Sequence, residues 1–239
     1  MNPKAKCCSK TLVAKKMVMA ATGLMLFGFL VGHMVGNLKI FQGIDAASGR
    51  YKIDVYAQFL RDVGFPLFAH GELLLYARLG LLAAFALHIA SAVQVVLASR
   101  AARPQGYVVK EYLATNFAAR TMWVSGLLIL AYVGFHLLHF TTGQANFTGF
   151  EHGKVYANVY HAFRVWWVAL FYIASMAVLS SHLFHGLWSL FQTLGICRQE
   201  NLKIFQWVAR AIAVGIFLGY AVVPVSILVG IVPPPMVGN

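Results

Sequence analysis

Five apolar runs, each about as long as a membrane crossing, divide the chain: residues 17–38, 73–98, 121–142, 165–190 and 206–231. A helix rises about 1.5 Å per residue, so roughly 20 apolar residues cover a hydrocarbon core of about 30 Å. The runs are continuous in hydrophobicity and do not alternate with period two, which excludes the strands of a membrane β-barrel. Backbone groups in lipid must pair internally, and a helix does this within its own segment. The pattern predicts an all-α integral membrane protein, a single membrane domain over 1–239 with five transmembrane helices.

The segments between the runs carry weaker signals. Residues 39–72 are broken by Gly43, Gly49, Gly64 and Pro66. Within them Tyr56, Phe59 and Leu60 predict a short interfacial amphipathic helix that stops at the Gly64-Phe65-Pro66 turn. Residues 1–16 read as a basic leader, either a simple positive-inside anchor or a segment lying along the membrane surface. The first run is too long for the core of a signal peptide and lacks a cleavage site after it, so it is expected to be retained. Pro104-Gln105-Gly106 predicts a turn in the loop before the third helix. Pro224 should kink the fifth helix. That helix has no histidine and is expected to pack outside the bundle or against a partner subunit.

Composition supports the membrane assignment: 60% of the 239 residues are apolar and 11% charged, where a soluble domain carries about a quarter charged. Mean hydropathy is +0.71. The net charge of +12 is a topology signal. Lys4, Lys6, Lys10, Lys15 and Lys16 precede the first run; Arg100, Arg103, Lys110 and Arg120 lie between the second and third. Arg198, Lys203 and Arg210 lie around the junction of the fourth and fifth. Asp45, Asp54, Asp62, Glu72 and Glu151 fall on the other side. This asymmetry places the N-terminus in the cytoplasm and the C-terminus outside. Basic residues scattered over three short segments give no footprint for nucleic acid. Cys7, Cys8 and Cys197 have no metal-binding spacing and no CxxCH occurs, so covalent c-type haem is excluded and free cytoplasmic thiols are expected.

Against this apolar background four histidines stand out, each in a different run: His33, His88, His136 and His182. A polar side chain at bilayer depth is costly and signals a pathway, a ligand or a cofactor, and neutral imidazole is a standard axial ligand of haem iron. His33 and His136 fall late in outward-running helices, whereas His88 and His182 fall late in inward-running ones. Thr22-Gly23-Leu24 before His33 and Ser125-Gly126-Leu127 before His136 form a faint repeat, with ten residues from glycine to histidine in both. The depths match in two pairs, His33 with His136 and His88 with His182. This is the arrangement for two bis-histidine haems stacked across a membrane, with the first four helices forming the bundle around them.

His139 and His185 each lie three residues beyond a member of a pair, on roughly the same helix face, so spacing alone leaves the ligand of each doublet open. Depth favours His136 and His182, leaving the shallower imidazoles to meet a haem propionate or water. Gly28, Gly32 and Gly36 fit either close helix packing or the approach of a flat macrocycle. His70, His152 and His161 lie in watery segments and need no ligand role. Zinc is disfavoured, because the histidines fall at two heights without accompanying carboxylates.

GLMLFGFLVGHMVGN, HIASA after ARLGLLAAF, GFHLLHFTTG and above all HLFHGLWSLFQTLG resemble the cytochrome b subunit of succinate dehydrogenase and fumarate reductase in its five-helix, two-haem form. The resemblance runs over about 15–231. It implies His182, followed by Gly186-Leu187-Trp188, as the fourth-helix ligand, His136 as the third-helix ligand, and His33 and His88 as the others. It further implies two haem b groups, a flavoprotein and an iron–sulfur subunit on the cytoplasmic side, and exchange of electrons with a quinone, menaquinone, near the outer face. The family's quinol-site acid has no secure match here. Glu72 is a candidate by location, for a proton relay, and Arg78 for a quinone oxygen or a propionate. Two other expectations stand beside this one: the dihaem anchor of a hydrogenase or formate dehydrogenase, and a transporter using buried histidines as proton relays. The scarcity of intramembrane acids counts against the transporter.

Overall fold

The computed structural model describes residues 3–101, 116–198 and 200–236. Seven α-helices follow one another: α1 (Pro3–Leu38), α2 (Lys52–Asp62), α3 (Glu72–Ala101), α4 (Asn116–Phe140), α5 (Val155–Arg164), α6 (Trp166–Thr193) and α7 (Leu202–Leu228), with a 3-10 turn at Lys39–Gln42 after α1. Five of them, α1, α3, α4, α6 and α7, are long and apolar enough to cross a membrane. The protein is an all-α integral membrane protein, as its runs predict. Arg103, the Pro104-Gln105-Gly106 turn and Lys110 lie outside the described residues.

Three elements differ from the expectation. First, α1 begins at Pro3, so the basic leader is the first part of the helix itself. Proline suits the opening position of a helix, and no breaker follows it before Leu38. Second, α5 occupies the loop between α4 and α6. Its Tyr156, Val159, Tyr160 and Phe163 recur at the spacing of one helical face, and Tyr156 and Phe163 are buried. The run is short, and its polar neighbours mask it in a hydropathy reading. Third, α7 is not peripheral. Two-fifths of its most apolar window is buried (39%), against none of that of α4. Ala209 and Ala213, fully or nearly buried, let it approach α6 closely, where Ser180 Oγ donates to Ala213 O at 2.7 Å. Gly219 faces Met34 of α1, where a Cβ would collide with the thioether. Tyr220 OH donates to Leu30 O of α1 at 2.8 Å. Pro224 lies within α7, which continues to Leu228.

The crossing helices associate as α1 with α3 and α4 with α6, and α7 packs on α6 and reaches α1. Among the described residues no comparable backbone approach joins α3 to α4 or α6, or α1 to α4, so α6 and α7 link the α1–α3 pair to α4.

One end of the bundle is capped by α2 and α5. The amphipathic α2 lies where the sequence places it and ends before Gly64, whose φ of +93° suits glycine. It sits against α1 at Gly36, where a Cβ would come within 2.8 Å of Tyr56 Cε1. Tyr51 and Tyr156 stack at 3.6 Å between centroids and 7° between planes. Tyr156 OH donates to Pro233 O at 2.8 Å and Met236 N donates to Tyr51 OH at 3.0 Å, so the pair grips the segment after α7. Arg164 Nη1 donates to Ile227 O at 3.4 Å, beside the bond that this carbonyl accepts from Gly230 N at 3.2 Å near the C-terminal end of α7. Burial, reinforced by Tyr51 and Tyr160, pushes the Tyr156 phenol up to about 12, so it stays a neutral donor.

Asp54 of α2 is 8% exposed and its Oδ1 accepts from Tyr156 N at 3.0 Å. A carboxylate from one helix thus caps the start of another. Burial raises its proton affinity above the ordinary value of 3.8, against the opposing pull of the Tyr156 and Val155 amides. Between 3.8 and the raised folded value, the native state holds more protons than the unfolded one. The stability of this contact therefore falls as pH rises through that window. Hydrogen exchange at the first amides of α5 should show this decline. Asp54→Asn, which keeps an acceptor, should flatten it, and Asp54→Ala should cost about 1 kcal/mol of local stability.

Candidate functional site: two pairs of intramembrane histidines

His33 of α1 and His136 of α4 meet near the capped end, their ring centroids 5.9 Å apart and their planes 83° from parallel. Each has an aromatic ring one turn earlier on its own helix. Phe29 stacks on His33 at 5.3 Å and Tyr132 on His136 at 5.8 Å. Tyr220 of α7 lies 6.1 Å from His33, and Tyr172 of α6 lies 6.0 Å from His136. His136 Nδ1 is buried with no hydrogen-bond partner; among the described residues only Asn146 Nδ2 shares that condition. A buried polar atom left unpaired costs about 1–3 kcal/mol, so this nitrogen calls for a physical explanation.

Toward the other end, His88 of α3 and His182 of α6 are seated in the same manner on neighbouring helices. His88 Nδ1 lies 3.0 Å from Met19 O and 3.3 Å from Thr22 Oγ1 of α1. His182 Nδ1 lies 2.9 Å from Ser125 Oγ of α4. A glycine adjoins each seat, and at Gly23 it makes room for the ring, whereas at Gly126 a Cβ would make only ordinary contact. A Cβ on Gly23 would stand 3.1 Å from His88 Cε1, and one on Gly126 would stand 3.8 Å from His182 Cε1. The Thr-Gly and Ser-Gly steps of the faint repeat are therefore seats for imidazoles of the partner helix. Thr22 precedes His33, and Ser125 precedes His136, by eleven residues. That is about three turns, so seat and histidine share a helix face roughly 16 Å apart along the axis. His33 and His136 are neighbours at one level, and the seats of His88 and His182 lie about three turns from them along α1 and α4.

The residues of the first level fit a pair of axial ligands. Two metal–imidazole bonds of about 2 Å each plus the two ring radii come to roughly 6 Å, close to the separation of His33 and His136. Gly28 and Gly32, on the turns before His33, meet nothing within 4 Å of a built Cβ, and the same holds for Gly134 and Gly186. Of the three spaced glycines in α1, Gly36 serves helix packing, whereas Gly28 and Gly32 are exposed and unpacked. Among the described residues no three His, Cys, Asp or Glu side chains converge.

The remaining sequence candidates are placed elsewhere. His139 is 1% exposed, and its Nδ1 lies 2.9 Å from Tyr172 OH, inside a cage that includes Phe135 and Phe140. Its partner is a tyrosine of α6, not water. His185 is half-buried beside Phe184. Glu72 Oε2 accepts from Ala69 N at 2.9 Å at the start of α3, and Arg78 lies exposed on that helix. Among the described residues no ion pair joins Glu72 to Arg78, and neither is hydrogen-bonded to the four histidines. His70 pairs with Asp62 at 2.9 Å, as a solvent-side histidine can. Tyr172 and Tyr220 were not singled out by the sequence, where they are two among ten tyrosines. Cys197 is a free thiol.

No family model, curated protein or solved structure matches the chain. Replacing Tyr172 by Phe removes the partner of a fully enclosed imidazole. Thermal or denaturant unfolding in detergent should show a loss of about 1–3 kcal/mol. An unchanged midpoint would mean that His139 finds another partner.

Proposed function

We propose that this chain is a dihaem cytochrome b that anchors a succinate:quinone oxidoreductase, working as succinate dehydrogenase or fumarate reductase, in the cytoplasmic membrane. The observation that supports the reading best is the pair of cross-helix imidazoles at one level, with centroids 5.9 Å apart. The matching seats of His88 and His182 at a second level support it further. In this reading His33 and His136 hold one haem b, and His88 and His182 hold the other. Bound haem iron accepts and releases single electrons, with a potential set by its axial ligands and by burial.

The chain's own contribution is to orient four imidazoles, exclude water from them and keep both levels within one bundle. The level of His88 and His182 faces the iron–sulfur subunit, which a flavoprotein subunit supplies with electrons from succinate or drains toward fumarate. The level of His33 and His136 serves a quinone, menaquinone in the family it resembles. Glu72 at the start of α3 is the candidate for proton exchange at that boundary, and Arg78 the candidate for binding a quinone oxygen.

Protein purified with its associated subunits from haem-replete cells should give a b-type absorption spectrum with two haems per chain. His33→Ala and His136→Ala should each remove the same haem, and His88→Ala and His182→Ala the other. A colourless preparation, or loss of different haems within one pair, would refute the assignment. Reduction of the haems by succinate or oxidation by fumarate identifies the catalytic partners. Hydrogen- or formate-driven reduction in their place would assign the anchor to a different enzyme.

A further inference from the structure

The hydroxyl groups of Thr22 and Ser125 occupy equivalent positions on α1 and α4, and each contacts the Nδ1 atom of an imidazole from another helix. The direction of these bonds follows from what each oxygen does with its own proton. Thr22 Oγ1 donates to Val18 O at 2.7 Å, and Ser125 Oγ donates to Met122 O at 3.0 Å. Met19 O, 3.0 Å from His88 Nδ1, is a carbonyl and can only accept, so His88 carries its proton on Nδ1 and its Nε2 is left with its lone pair. With its own hydrogen directed to Met122 O, Ser125 Oγ presents a lone pair to His182 Nδ1, and the same Nδ1–H assignment there satisfies both contacts at once.

Resting on the reading above, we propose that Thr22 and Ser125 are positioning residues: they fix the Nδ1–H tautomer and ring orientation of His88 and His182, leaving Nε2 as the iron ligand. An imidazole that donates through its second nitrogen is a stronger electron donor to its metal, which favours the ferric state and lowers the potential. The two seats differ in depth of support. His88 Nδ1 has two acceptors, Met19 O and Thr22 Oγ1, whereas the bond to Ser125 is the one seen at His182 Nδ1. Removing the Ser125 hydroxyl therefore has the larger consequence. At the other level His136 Nδ1 has no such acceptor, so the device belongs to one level of the bundle.

The test is a redox titration of both haems in the full chain with its bound subunits, for wild type, Ser125→Ala, Ser125→Thr, Thr22→Val and Thr22→Ser. Ser125→Ala should shift the ferrous/ferric preference about tenfold toward ferrous, an upward move of about 59 mV for one electron. The shift should fall on the haem that His182→Ala removes, and Ser125→Thr should restore it. Thr22→Val should move the same haem upward by less, and Thr22→Ser should leave it in place. Should Ser125→Ala lose that haem alone, with Ser125→Thr regaining it, the proposal also stands. It is overturned by an unmoved midpoint in Ser125→Ala with both haems bound, by a shift in the other haem, or by failure of Ser125→Thr to rescue. Two haems in the wild type with a silent Ser125→Ala would remove this inference alone; a wild type without haem would remove the functional reading with it.

Discussion

An imidazole nitrogen inside an apolar bundle must find a partner or impose a penalty of a few kcal/mol, and this constraint organises the interior of the protein. The protein meets it in three ways. His88 and His182 lean their Nδ1 atoms on the backbone or hydroxyls of adjacent helices. His139 turns to a tyrosine. His136 keeps a buried nitrogen without any protein partner while facing His33 of α1. One glycine follows from the same requirement: Gly23 makes room for the His88 ring.

Rigidity is distributed unevenly around this interior. The best-packed cluster lies at the capped end, where Tyr51, Tyr156, Phe163, Tyr172 and Ile227 bring α2, α5, α6 and α7 together. A second cluster runs along α6 and α7, including Leu187, Trp188, Ala209 and Ile216. α7 brings no histidine, yet it supports both helix pairs, through Ala213 to α6 and through Tyr220 to α1. It packs on the histidine-bearing helices, with Tyr220 also near the His33 ring.

Much of this was legible in the chain. Runs of twenty apolar residues leave little freedom in lipid, so the five crossings follow almost directly from solvation. The four histidines were conspicuous because no Lys, Arg, Asp or Glu stands near them in their runs, and their expected levels followed from helix direction and rise. The extent of α1 was misread because charge suggests a boundary, whereas the backbone responds to the absence of breakers. α5 was missed because a ten-residue amphipathic helix has little hydropathy contrast. The choice between His136 and His139 needed cross-helix neighbours: Tyr172 lies thirty-three residues away in sequence. The Ser/Thr-Gly repeat was visible as a register mark, but its meaning required knowing which partner helix laid a ring upon it.

The eleven-residue interval from seat to histidine has a mechanical corollary. Each of the rods α1 and α4 carries a seat for one storey and a histidine of the other, so the height between storeys is graduated along a single hydrogen-bonded backbone. Rocking or splaying of the rods alters the lateral gap but leaves that graduation untouched. A helix of this kind works as a ruler, and two identical rulers set side by side keep both storeys parallel.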